Sequence, residues 1–375
     1  MGDTYDSLVS YTGSRHSKDP EMQEICDRID NLRCRDLAAL AIAVSKERAD
    51  QVSITETIKG SDFHKSSDVD QRVFHKIDTM LYDTFTDIPF VELSPVQPFG
   101  LNTSFAGLSE SKILATTRKA EVNADISTAL VREALLRDPD LLTQGVRLAS
   151  SARITRAQKF DPDTKFLPHF KMFGQATVGR NQEGNNNSTN LSKHLLSEFD
   201  FLSQFQESDI SSLENTTIEI GDVRVVDRLI RLGQVSYDEI KRNTTNPHYD
   251  LFQASNINIP KNLAPLDPEL KTILSSLESD DIHADIMSLY GSLANHNPRA
   301  AEKCTIKLDR FAGHNYYLGT CYNLFGINAD GLTLPLSDGG YTDWAQKATG
   351  NRNAFSISSG IGTELLARYF TQTAT

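Results

Sequence analysis

The chain has 375 residues, 39% of them hydrophobic, enough for two or three domains around a substantial core. Lys and Arg total 38 against 50 Asp and Glu, and the net charge of −12 argues against a global positive field that grips nucleic acid. The four cysteines include no CxxC pair, no apolar run approaches the ~20 residues of a membrane span, and Met1 to Lys18 carries no signal-type apolar block, so the expectation is a cytoplasmic protein with free thiols and no membrane segment.

From Asp19 to about Asp50, apolar residues recur at helical spacing (Ile25, Ile29, Leu32, then Leu37, Leu40, Ala41, Val44), which predicts a helical hairpin. The stretch Val52 to Val69 is polar and reads as a linker, so residues 1–65 form an N-terminal helical extension and linker. Gln71 to Phe85 is an amphipathic helix through Val73, Phe74, Ile77, Met80 and Leu81, and it leads into a strand-like segment from Pro89 to Pro95. Ala124 to Arg137 is helical, and Leu148 to Gln158 and His169 to Gly179 read as two strands joined by a loop holding Asp161-Pro162-Asp163. The run Gly184 to Asn190 is a solvated loop before a helix over Leu191–Phe205 and a strand over Thr216–Gly221.

Between Val225 and Lys303 almost everything is helical, with breaks near Pro247 and from Pro260 to Pro268. The chain then returns to sheet over Asn315–Phe325 and Thr333–Leu336, and closes with a strand and helix through Ala354 to Phe370. Strands in hairpin order interrupted by one helical block predict an α+β fold: an antiparallel sheet of six or seven strands, in a discontinuous domain over 66–225 and 304–375, with a helical insertion at 226–303.

No HExxH, Walker-type glycine loop or GxSxG elbow is present, and no spacing suggests metal ligands. Five segments in order instead carry a resemblance. The helix and strand closing on Pro95 look like motif 1 of the class II aminoacyl-tRNA synthetases. Thr155-Arg156-Ala157-Gln158, a loop, and His169-xxx-Phe173 look like their motif 2. Tyr316-Tyr317-Leu-Gly319-Thr320-Cys-Tyr322 is similar to the YYxGTxF strand of the histidyl type, and Asp338-Gly339-Gly340-Tyr-Thr-Asp343 to its GGRYD element. Ser359-Gly-Ile-Gly362-Thr-Glu364 resembles motif 3.

The resemblance implies a dimeric domain that binds ATP with Mg²⁺ and a small amino acid or carboxylic acid. Arg156 would hold the α-phosphate, Phe173 would stack the adenine, and Gly362 and Glu364 would lie at the nucleotide. Gln175, Tyr317, Tyr322 and Glu121 would contact the amino-acid substrate. Departures are equally clear. The arginine expected after Glu364 is Leu365, which leaves Arg368, one turn on, as the candidate γ-phosphate cation. The expected arginine four residues before Tyr316 is Ala312, with Arg310 nearby, and an acid expected beyond Gln175 is Gly179. Only seven residues follow Arg368, so an anticodon-binding domain is not expected, and neither is tRNA charging. Two functions follow: an adenylate-forming ligase that passes the acyl group to a protein or small-molecule acceptor other than tRNA, or a catalytically silent relative that binds a small amino acid and regulates a partner, as the regulatory subunit of ATP phosphoribosyltransferase does.

Overall fold

The computed structural model describes residues 20–116, 118–141, 145–158, 166–181, 188–243, 246 and 249–372. The loop at 161–163, most of the run at 184–190, and the side chains of Met22, Cys26 and Cys34 lie outside them.

The N-terminal segment contains helices α1 (Pro20–Asp30), α2 (Cys34–Gln51) and α3 (Ile54–Lys59), the last within the stretch expected to be a linker. Helix α4 (Gln71–Thr84) begins where the Asp70 carboxylate accepts from the Arg72 amide at 2.8 Å, which satisfies one of the free amides of a helix start. It buries Phe74, Ile77 and Leu81, one stripe at helical spacing. The expected strand from Pro89 to Pro95 is only a single bridge between Phe90 and Ala149, because the prolines at both ends offer no amide. Regular pairing starts later, in the two-stranded ribbon of β1 (Val96–Pro98) and β2 (Ala120–Val122), with α5 (Leu101–Ala106) between them.

Next come α6 (Ile126–Arg137), β3 (Val146–Thr155), β4 (His169–Arg180), α7 (Ser188–Gln206) and β5 (Leu213–Asp222). The helical block follows as α8 (Arg224–Arg231), α9 (Tyr237–Asn243), α10 (Leu251–Ala254), α11 (Pro268–Ser276), α12 (Asp280–His296) and α13 (Pro298–Glu302), with a two-residue strand β6 (Asn262–Leu263) inside it. The chain ends through β7 (Cys304–Lys307), β8 (Thr320–Asn328), β9 (Thr333–Thr342), α14 (Trp344–Thr349), β10 (Ala354–Ile361) and α15 (Thr363–Tyr369).

The large sheet has eight strands, one or two more than expected, in the order β3-β4-β10-β9-β8-β5-β7-β6. Its described pairings are antiparallel except β5 with β7, which is parallel. A parallel neighbour cannot be reached by a tight turn, so the α8–α13 block is the crossover that this pair requires. The α+β class and the helical block thus follow the sequence expectation.

The chain divides into two compact units. One comprises residues 1–68, 94–125 and 153–170, and the other residues 69–93, 126–152 and 171–375. The second holds the main core: α7 contributes Leu195, Phe201, Leu202 and Phe205, α15 contributes Leu366, and the sheet contributes Phe173, Ile357 and Ile361. Cys304 and Cys321 are free and buried there, and burial pushes both thiols up to about 12. Among the described residues, no helix is long and apolar enough to cross a membrane.

Candidate functional site

Strand register sorts the sequence candidates onto opposite faces of the sheet, because residues directly opposite in a ladder share a face and neighbours along a strand do not. One row runs Gln175–Ser359–Gly339–Tyr322–Ile220, and the next runs Gly174–Gly360–Asp338–Asn323–Glu219. Gln175, Phe173 and Tyr322 therefore lie on the face that α7 covers. A Cβ at Gly174, on the other face, would come within 2.5 Å of Ile126 of α6.

On the α7 face the residues expected to meet a substrate meet Glu198 instead. This fully buried carboxylate accepts from Gln175 Nε2 at 2.9 Å, Tyr322 OH at 2.9 Å, Ser359 Oγ at 2.6 Å and Ser337 Oγ. Burial pushes its pKa up and also lifts the Tyr322 phenol well above its usual range. Arg147 Nη2 donates to Gln175 Oε1 at 2.6 Å, which occupies the rest of that amide. One turn before Glu198, His194 is buried between Thr177 Oγ1 (2.7 Å from Nε2) and Ser359 Oγ (3.0 Å from Nδ1). Since the Ser359 hydroxyl proton goes to Glu198, the network assigns the His194 proton to Nδ1 and leaves Nε2 to accept from Thr177. Burial, with the charge of Arg147, holds His194 well below its usual pKa, so the ring is neutral. Phe173 is likewise a core side chain, its ring 4.6 Å from Phe85 and 6.0 Å from Phe90, with nothing exposed.

The opposite face gathers a different set. Arg310, only 5% exposed, lies across Gly221 and above the Tyr317 ring, 5.9 Å from its centroid. Its Nη1 donates to Asn323 Oδ1 at 2.6 Å, and its Nε has no partner. Tyr317 packs over Gly340, where a Cβ would come within 2.7 Å of the ring, so the glycine of this element is needed for close approach. Tyr317 and Tyr322, expected in one pocket, are thus on opposite faces, and Arg310 rather than Tyr322 accompanies Tyr317. The irregular segment from Phe311 to Tyr317 takes Arg310 further from Tyr316 in sequence than the family spacing, which is why counting four residues back found only Ala312.

In the other unit, Arg156 Nε donates to the Ala124 carbonyl at 2.9 Å, Nη2 lies 3.4 Å from Asp125, and the guanidinium stands 5.7 Å above the ring of Phe170. Phe170 was missed from sequence because a count from His169 ends on Phe173. Phenylalanines three apart on a strand face opposite ways, and the one on the side of Arg156 is Phe170. Glu121 is fully buried with both oxygens engaged: it accepts from the amides of Gly100 (2.7 Å) and Asn102 (2.8 Å) and from Asn102 Nδ2 (2.7 Å).

At the motif 3 segment, Gly362 precedes α15, and the Glu364 carboxylate is occupied on both oxygens. Lys171 N donates to Oε2 at 2.9 Å, and Arg368 Nη2 to Oε1 at 3.0 Å. Their side chains are 6% and 7% exposed. For the ATP and Mg²⁺ that the resemblance implies, each unit offers its own donors. Arg156 over Phe170 suits a base and an α-phosphate, whereas Glu364, Leu365 and Arg368 do not suit a triphosphate tail or its metal. Among the described residues, no group of three His, Cys, Asp or Glu is placed to hold a metal ion.

No known protein family and no curated protein matches the sequence. Solved structures do match in fold. An ATP phosphoribosyltransferase regulatory subunit/histidyl-tRNA synthetase from Bacillus halodurans C superimposes with a TM-score of 0.61 at 15% identity, covering 82% of each chain. Histidyl-tRNA synthetase from Nostoc sp. PCC 7120 gives 0.62 at 15% identity over 82% of this chain and 74% of that one. A histidine–tRNA ligase subunit from Alicyclobacillus acidocaldarius gives 0.60 at 15% identity over 82% and 95%. The order of motif-like segments and these superpositions agree: the chain carries the class II synthetase-like fold of histidyl-tRNA synthetase.

Proposed function

We propose that this protein is a synthetase-like binding protein that holds a small amino or carboxylic acid on the Arg310 face and acts through a protein partner, without forming an adenylate. The observation that carries this reading is the closure of Arg368 on Glu364. Adenylation needs cations preorganised at the triphosphate, since its catalysis is mainly alignment and charge stabilisation. Leu365 supplies no cation, and Arg368 is held by Glu364 in a buried ion pair with which a triphosphate would have to compete. The buried Arg310, with an unused Nε–H beside Asn323 and Tyr317, is suited to a carboxylate. A protein partner is supported by the Bacillus halodurans neighbour, whose name includes a regulatory subunit.

One observation favours the second reading, an ATP-dependent acyl-adenylate ligase acting on a non-tRNA acceptor. The Arg156 guanidinium above the Phe170 ring is the kind of pair onto which an adenylate stacks. Pyrophosphate exchange across a panel of amino acids, run beside calorimetry of the same panel, separates the two. Binding without exchange is the expected result, and exchange above background with any acid replaces the first reading by the second.

A further inference from the structure

The resemblance reserves Glu121 for a substrate ammonium group, yet three donors already engage both oxygens of its buried carboxylate. The sheet face that carries Arg310 has two other acids, Asp338 of β9 and Glu219 of β5, in one row with Asn323. Glu219 of β5 is half-buried and makes no hydrogen bond or ion pair among the described residues. It stands directly opposite Asn323, the residue that accepts from Arg310 Nη1. Two residues further along β5, Gly221 lies beneath the Arg310 side chain, where a Cβ would come within 2.9 Å of Cδ. Residues two apart on a strand share a face and are separated by roughly 7 Å.

One patch of sheet therefore holds a buried guanidinium with an unpartnered Nε–H and a partly buried carboxylate with no partner. Each is costly by itself, because desolvation is not repaid by a hydrogen bond. Burial raises the pKa of Glu219, against the charges of Lys307 and Arg310 that lower it.

Resting on the reading of this face as an acid-binding site, we infer that Glu219 and Arg310 form a zwitterion site: Arg310 takes the carboxylate and Glu219 the ammonium of an α-amino acid, in place of Glu121. The glycine at position 221 is part of the arrangement, since any side chain there would displace Arg310.

Calorimetry of the full chain with each of the twenty common L-amino acids, then with the des-amino acid of the tightest binder, tests this. The wild type should prefer the amino acid by about tenfold or more, the size of one charge-assisted hydrogen bond. Glu219→Gln, close in shape and checked for an unchanged melting temperature, should bind the two ligands within about twofold of each other. Retention of the preference in that variant, or in Glu219→Ala if the first fails to fold, overturns the role of Glu219 while the acid-binding reading stands. Equal binding of both ligands by the wild type has the same meaning. If no amino acid and no des-amino acid binds the wild type, the acid-binding reading fails with it.

Discussion

Glu364 and Arg368 lie one turn apart on α15 and close on each other at 3.0 Å, each less than a tenth exposed, while the second Glu364 oxygen accepts from the amide of Lys171. The pair thus ties the last helix to β4. Arg368→Ala would remove the cation that pairs with a buried carboxylate. The expected cost is about 3–5 kcal/mol of stability, with amino-acid affinity almost unchanged. Urea denaturation and calorimetry on the same preparation check both halves. Unchanged stability together with lost nucleotide binding would mean that Arg368 serves a phosphate.

Phe170 and Phe173 should separate cleanly. Phe173 is fully buried against Phe85 and Phe90, so Phe173→Ala should cost about 3–5 kcal/mol through the cavity it leaves. Phe170 makes its described aromatic contact with Arg156, and Phe170→Ala should cost about 1 kcal/mol or less. Denaturation midpoints of the two variants at equal m-value decide it, and equal losses would contradict the assignment of faces.

Acid should destabilise the fold through His194. Its folded-state pKa lies well below the unfolded value of about 6.5, so the unfolded chain binds the extra proton first. The contribution is fully present above pH ~6.5 and is lost as the pH falls below it toward the folded-state value. Glu198, shifted upward, acts in the opposite sense, adding stability as the pH falls through its raised folded-state pKa toward its unfolded value of about 4.3. Melting temperatures from pH 8 to pH 5 should therefore fall in the wild type, and His194→Gln should flatten that slope even if it lowers the whole curve. An identical slope in the variant would remove His194 as the cause.

Self-association is expected through the outer side of α4. Phe74 and Leu81 are buried within the chain and belong to its own core, so they are not free to form a dimer contact. The same helix leaves Tyr82 half exposed, packed edge-on to Phe90 at 4.7 Å. A homodimer at micromolar concentration, weakened by Tyr82→Glu, is the expected sedimentation result. A monomer at that concentration would remove the proposal.

Charging of tRNA is not expected, since the net charge of −12 opposes a sequence-independent grip on phosphates. Filter binding at low salt should show no retained tRNA and no label moved to its 3′ end. Salt-sensitive retention with transfer would reverse this expectation.

Much of the fold was legible because it rests on local patterns. The stripe Phe74, Ile77 and Leu81 set α4 by periodicity alone, and the segment order from Pro95 to Glu364 marked the synthetase-like sheet before any strand was paired. The parallel pair β5–β7 was not legible, because a crossover of some eighty residues leaves no local trace. Side-chain facing decided the site and was equally hidden. A single position of register sends Phe173 and Gln175 to the core and brings Gly174 and Asn323 into one row, since successive strand residues alternate faces. Sequence could therefore nominate Gln175, Tyr322, Glu121 and Arg368, but only tertiary packing could show that each already has a partner in its own chain. It alone exposed groups that lack one, among them Arg310 at its Nε and Glu219 at its carboxylate, whose burial costs free energy until something else supplies the missing bond.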